Sequence, residues 1–182
     1  MSELFSIQLQ NRQQQGRDGV WLDLPTTTEQ VQAALRQIGI SSDNPQGLFI
    51  SGYFAEEEKR FAIPYNMVLA SSVDELNFLA SRLEILSTGE RAELNAALQA
   101  PQSELFSIGR ITDFPENVDY YVHLPDVHGP AQLGDYYLNR SGMVDMPEEW
   151  KGGIDTAQFG RYVAQQEQGV FTEYGYLVKS GD

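Results

Sequence analysis

The stretch GVWLDLPTTTEQVQAALRQIGI, Gly19–Ile40, carries a strand and a helix in immediate succession, and its reading decides the fold class. Val20–Leu24 is an extended apolar run, and Pro25 closes it because proline cannot donate to a sheet ladder. Thr26 and Glu29 then form a Thr-x-x-Glu capping box, in which hydroxyl and carboxylate each satisfy a backbone N–H that the first helical turn leaves orphaned. Val31, Ala34, Leu35 and Ile38 follow at helical spacing, and Gly39 supplies the stop. A strand feeding a capped amphipathic helix is an α+β unit.

The flanks extend it. Upstream, SELFSI reads as an extended run, and the polar QLQNRQQQGRDG between it and Val20, with its Gly- and Asp-containing turn, makes the two runs a hairpin. Downstream, Gly47–Phe54 (GLFISGYF) reads as a third strand. Residues 1–60 thus form an N-terminal α+β domain with a short antiparallel sheet. Residues 61–102 change character. Ser72 and Glu75 make a second capping box, followed by Leu76, Leu79, Leu83 and Leu86 on one face. Ser87 and Glu90 make a third, followed by Leu94 and Leu98, and Pro101 ends that helix. This central helical domain is too small to hold a core alone, so it must dock on its neighbours.

At Ser103 the hexapeptide SELFSI of Ser2–Ile7 returns letter for letter. One reading is a repeat that opens a second α+β domain over 103–182; the other is a shared strand preference with no common ancestry of structure. ELFSIGRI, Glu104–Ile111, again reads as strand-like. Another extended run follows at Tyr120–Pro125, then a helix with Pro130 as its first residue and a helix capped by Asp155. Val170–Val178 alternates and reads as the last strand. The expected architecture is α+β and elongated, with three small domains in series.

Charge is the strongest compositional signal: 26 acidic residues against 12 basic ones give −14. Such a surface repels nucleic acid and anionic membranes and favours cationic partners. The acids are interleaved with aromatics and leucines, unlike a disordered acidic tail, so they are displayed on folded elements. That composition fits a plain soluble acidic protein, and it also fits a surface shaped for a basic groove. Cysteine is absent, which excludes disulfides and thiol chemistry. No apolar run is long enough for a membrane span and the N-terminus does not read as a signal peptide, so a cytoplasmic protein is expected.

Catalytic constellations are equally missing. His123 and His128 flank Asp126, but Pro125 prevents the helix that would bring two residues five apart together. No phosphate-binding glycine loop and no nucleophile elbow occurs. The adjacent pairs Asp74–Glu75 and Glu148–Glu149 do not face one another on a helix, so neither is an acid–base dyad. No enzyme, cofactor or metal is expected.

Four blocks, GVWLDLPTTTEQVQAALRQIGI, DELNFLASRL, LGDYYLNRSG and FGRYVAQQEQGVFTEYGYL, together resemble the ArdA antirestriction family, small acidic proteins carried by mobile elements. The resemblance runs from about Phe5 to Tyr176. It implies a protein of the bacterial host cytoplasm, encoded by a mobile element, that looks like double-stranded DNA to type I restriction–modification enzymes. It further implies three domains in a row and a curved homodimer joined through the C-terminal domain. The partner is the groove formed by the specificity and modification subunits, with no direct binding of nucleic acid. The alternative is an acidic interaction protein for another DNA-binding or defence protein.

Duplex DNA carries one charge per about 1.7 Å of axis, so the carboxylates of one chain match roughly 44 Å of duplex. Surface candidates are Asp74 together with the acids that have no evident capping role, namely Glu56, Glu57, Glu58, Asp113, Glu116, Asp119, Asp126, Asp135, Asp145, Glu148, Glu149 and Glu173. The Leu, Phe and Ala of Leu76–Ala80 read as core.

Overall fold

A computed structural model of the chain describes residues 3–14, 16 and 18–180. In chain order its elements are β1 (Phe5–Asn11), β2 (Val20–Leu24), α1 (Thr28–Gln37), β3 (Leu48–Phe54), α2 (Tyr65–Leu69), α3 (Val73–Glu84) and α4 (Thr88–Gln99). Then come α5 (Ile108–Thr112), β4 (Tyr121–Leu124), α6 (Pro130–Asn139), α7 (Glu148–Lys151), α8 (Thr156–Glu167), β5 (Val170–Thr172) and β6 (Gly175–Lys179). The class is α+β. Two compact units emerge: the chain up to Ser87 with Leu105–Pro115, and Thr88–Glu104 with the chain from Glu116 onward. The helical stretch 61–102 contributes α2 and α3 to the first unit and α4 to the second.

The first unit is built on an antiparallel sheet in the order β2-β1-β3. Every second residue of β1 points inward, so Phe5, Ile7 and Leu9 are buried. The fourth inward residue, Asn11, is polar and is satisfied: its Nδ2 donates to the carbonyl of Ile38 (3.0 Å) and its Oδ1 accepts from the N–H of Gln13 (2.9 Å). Between Gln8 and Leu9 the β1–β3 register slips by one residue, leaving Ser51 as the extra residue, and its hydroxyl donates to Gln8 Oε1 (3.0 Å).

Helix α1 is capped one residue later than the sequence suggests. Thr27 is the N-cap and Gln30 its partner, in place of Thr26 and Glu29. In TTTEQ both registers satisfy the rule locally, and a distant residue decides between them. The side-chain amide of Asn77 in α3 accepts from the N–H of Thr26 (2.8 Å) and donates to its carbonyl (3.0 Å). With its backbone held there, Thr26 is not the cap. The Ser72–Glu75 box forms as expected, Ser72 Oγ accepting from the Glu75 N–H (3.2 Å) and the Ser72 N–H donating to Glu75 Oε2 (3.0 Å). Leu76, Leu79, Ala80 and Leu83 of α3 are buried, with α5 and β2 packed nearby.

The returning hexapeptide does not return as a strand. Phe5–Ile7 lies in β1, whereas Ser103 ends a 3₁₀ turn, Glu104 sits in the left-handed region at φ 59°, and Ser107 caps α5 by accepting from the Arg110 N–H (3.3 Å). Six identical residues meet two ladders in one case and none in the other, and the ladders decide.

The second unit carries an antiparallel sheet in the order β4-β6-β5. The single expected strand Val170–Val178 is a hairpin. Thr172 Oγ1 donates to the carbonyl of Gly175 (2.8 Å) and accepts from the N–H of Tyr174 (3.1 Å), closing a turn at Glu173–Tyr174. Gly175 has φ +112°, and a Cβ there would stand 2.4 Å from the carbonyl oxygen of Leu124. Tyr176, Leu133 and Val127 form the centre of this unit. The hydroxyls of Tyr137 and Tyr176 both donate to the carboxylate of Glu167, the latter at 2.8 Å.

Helices α6 and α8 cross almost backbone to backbone. A Cβ on Gly134 would stand 1.9 Å from the carbonyl oxygen of Thr156, and one on Gly160 1.8 Å from that of Pro130. Neither neighbour is a flexible side-chain tip, so the helices themselves would have to part. Gly134→Ala and Gly160→Ala should therefore each cost about 1–3 kcal/mol. Gly89→Ala, in the first turn of α4 with nothing within 4 Å, should be neutral or stabilising. Thermal unfolding of the three variants checks this; a wild-type melting temperature for Gly160→Ala would refute the crossing.

Candidate acidic interaction surface

The first unit presents its candidate carboxylates on turns and helix ends. Glu56, Glu57 and Glu58 follow β3 around a short 3₁₀ turn and are all exposed. Glu56 is partly neutralised by Lys59 (3.3 Å). Asp74 is exposed in the first turn of α3, where a carboxylate also favours the helix dipole, and Asp113 is exposed at the C-cap of α5.

In the second unit Glu116, Asp119, Asp126, Asp145, Glu148, Glu149 and Glu173 are exposed, and Asp135 is half-buried. Two of these are spoken for by cations: Asp135 by Arg140 (3.1 Å) and Glu148 by Lys151 (2.7 Å). Hydrogen bonds from Asn139 and Arg140 hold the Asp135 carboxyl below its ordinary range. Glu173, on the β5–β6 turn, accepts from Gln99 Nε2 (3.3 Å) while its N–H donates to Gln99 Oε1 (3.1 Å), which ties the turn to α4. Among the described residues, no cation lies within ion-pair distance of Glu57, Glu58, Asp74, Asp119, Asp126, Asp145, Glu149 or Glu173.

Eleven of the thirteen candidates thus fall into two groups that sequence could not separate. Residues i and i+3 or i+5 can pair or not, depending on rotamers and packing. Exposed acids outside the candidate set also contribute negative surface: Glu3, Asp18, Asp23, Glu29, Asp43, Glu75, Glu104 and Asp155. Capping explains Asp155, which accepts from the Gln158 N–H (3.0 Å), but a capping carboxylate keeps its charge.

One carboxylate behaves differently. Glu93 of α4 is half-buried, and its Oε1 is sealed from solvent without a hydrogen-bond partner. Burial, reinforced by the like charges of Glu90 and Asp119, pushes its carboxyl up from 4.5 to about 7. The sequence offered no signal for it, since Glu93 follows the third expected capping box and looks like any surface glutamate of a helix.

Phe78 overturns its expected place in the core. Leu76, Leu79 and Ala80 are buried, but Phe78 is 61% exposed on the opposite side of α3. The ring Nε2 of His123 contacts the carbonyl of Tyr174 (2.6 Å), so that nitrogen carries the hydrogen. Among the described residues no group of three or more His, Cys, Asp or Glu is placed to hold a metal ion, and no helix is long and apolar enough to cross a membrane.

Fold and surface together define an acidic α+β protein whose distinctive groups are exposed carboxylates. A family model described as antirestriction protein (ArdA) matches residues 15–178 of the 182, and the chain belongs to that family. No curated protein matches the sequence.

Glu93 gives this surface a pH signature. The folded state holds its proton more tightly than the unfolded chain does, so its contribution to stability is present below pH 4.5 and is lost as pH rises through about 7. Glu93→Gln should melt above wild type at pH 8, with the gap closing by pH 4.5. Equal melting temperatures at pH 8, measured by circular dichroism, would show that the carboxyl is not strained there.

Proposed function

We propose that this chain blocks type I restriction–modification enzymes by standing in for duplex DNA, its exposed carboxylates taking the places of phosphates in the basic groove of the specificity and modification subunits. The observation that carries this reading is the set of exposed carboxylates without cationic partners, present in both units: Glu57, Glu58 and Asp74 in the first, Asp126, Asp145 and Glu149 among those in the second. A surface of one sign attracts a surface of the other, steers its approach, and repels DNA itself. Family membership supplies the antirestriction role, and charge supplies the means. A serial three-domain layout and a homodimer through the C-terminal domain are part of the same proposal, since a longer run of carboxylates would follow a two-part DNA site.

Inhibition is by occupancy, so it needs no turnover and no cofactor. It should be stoichiometric, and it should weaken with salt because the Lys and Arg side chains of the groove are screened. The direct test is a labelled duplex bound to a purified type I methyltransferase core and titrated with this protein. Displacement that weakens as salt rises supports the reading. A folded protein that displaces nothing would redirect the search to a different basic partner.

Binding energy spread over many charges makes each one weak, about 0.2–1 kcal/mol for exposed pairs. Single Glu→Gln changes should therefore alter displacement by at most about fivefold. The triple variant Glu57→Gln, Glu58→Gln, Asp74→Asn should need about tenfold more protein, by the sum of such increments. The matched triple Glu56→Gln, Asp135→Asn, Glu148→Gln should need far less extra, because each carboxylate is already paired with a cation. Equal losses from the two triples would sink the distinction.

A further inference from the structure

Helix α3 has two apolar faces and only one core. Val73, Leu76, Leu79, Ala80 and Leu83 are buried, yet Phe78 is 61% exposed and Ile85, the C-cap residue, is 68% exposed. Seven residues apart on a helix, they lie on one line two turns long. The same line begins at exposed Asp74, four residues before Phe78, and passes through Ser81, whose hydroxyl is turned back onto the Phe78 carbonyl (2.7 Å). The outward stripe is therefore a carboxylate, an aromatic ring, a silent hydroxyl and a branched aliphatic. Placing Phe and Ile in water forgoes the transfer energy that either would gain by burial.

Duplex DNA offers its partner more than phosphates. Between the two rows of charge lie polar base edges and thymine methyl groups; a DNA-binding protein reads the edges with hydrogen-bonding side chains and meets the methyls with apolar ones. We propose that Phe78 and Ile85 are an apolar anchor that seats against the apolar, methyl-reading side chains on the floor of the restriction enzyme's DNA groove, with Asp74 engaging the basic wall beside it. This deepens the proposed function and rests on it. The occupant is specified by charge complementarity: Asp74, without a cation of its own, shares the stripe with the apolar pair, so the surface that covers them must be basic as well as apolar. An uncharged hydrophobic patch would bury that carboxylate unpaired.

The anchor has a signature that charge lacks. Apolar burial is not screened by salt, so removing it should shift displacement by the same factor at low and high ionic strength, whereas removing carboxylates should change the salt slope. The double variant Phe78→Ser, Ile85→Ser is titrated beside wild type in the duplex displacement assay at two salt concentrations. Circular dichroism reports folding, and sedimentation reports self-association. We expect a folded protein with unchanged self-association that needs about tenfold more for half-displacement, or about 1.4 kcal/mol, at both salts. Phe78→Leu should recover most of the loss. Displacement within twofold of wild type would overturn the anchor and leave the DNA-surrogate reading standing. So too would loss of self-association, which would assign the stripe to a second copy of this chain. Failure of wild type itself to displace duplex would remove the reading and the anchor together.

Discussion

Twelve cations cannot neutralise twenty-six carboxylates, and the rest of the structure follows from where that imbalance is placed. A carboxylate resists burial because desolvation costs several kcal/mol unless donors replace water. Most of the described acids therefore stay exposed, many of them on turns, caps and helix ends. Two of the half-buried ones show the terms on which depth is allowed. Glu167 is met by two tyrosine hydroxyls, and Glu93, whose Oε1 meets no donor, holds its proton up to about neutral pH.

With twelve cations in the whole chain, ion pairs can supply only part of each unit's cohesion. Each also draws on contacts between uncharged groups. In the first, the Asn77 amide grips both backbone groups of Thr26 across 51 residues, fixing α3 against the corner between β2 and α1. In the second, Gly134 and Gly160 let α6 and α8 approach until backbone meets backbone. Close packing gathers many small dispersion contacts that no salt concentration weakens. A strongly negative protein gains from cohesion of this kind, because its surface repulsion grows as ionic strength falls.

The legible part of the fold was the part written in local chemistry. Ser72 with Glu75, Pro130 at a helix start and Asp155 before another all stood as the sequence implied. Local rules failed where a distant partner held the deciding vote. TTTEQ allows two capping registers, and Asn77 chooses. SELFSI allows a strand, and only the copy beside β2 and β3 becomes one. Phe78 was assigned to the core because it is apolar, although it stands about 200° around the helix from Leu76. Gly134 and Gly160 were a missed signal: a glycine inside a helix costs about 1 kcal/mol against alanine, so two of them in neighbouring helices ask for a packing reason. The candidate acids were legible as a composition but not as a surface, because whether Glu148 meets Lys151 while Glu149 meets no cation depends on rotamers.

Net charge density also limits what carboxylates alone can achieve. The chain exposes one net charge per roughly 800 Å² of surface. Duplex DNA, treated as a cylinder of about 10 Å radius, carries one on the order of every 100 Å². DNA condenses counterions at that density, and their release drives much of its binding to proteins. A surface several times sparser condenses few and has little to release. An acidic protein that displaces DNA must then recover the difference elsewhere. Leaving some carboxylates unpaired keeps their full attraction for the groove. A rigid fold spares the ordering entropy that a flexible acidic chain would lose on binding. Apolar side chains set among the charges add burial that salt does not screen. Phe78 and Ile85, exposed on the helix that carries Asp74, are in the right place to supply that last contribution.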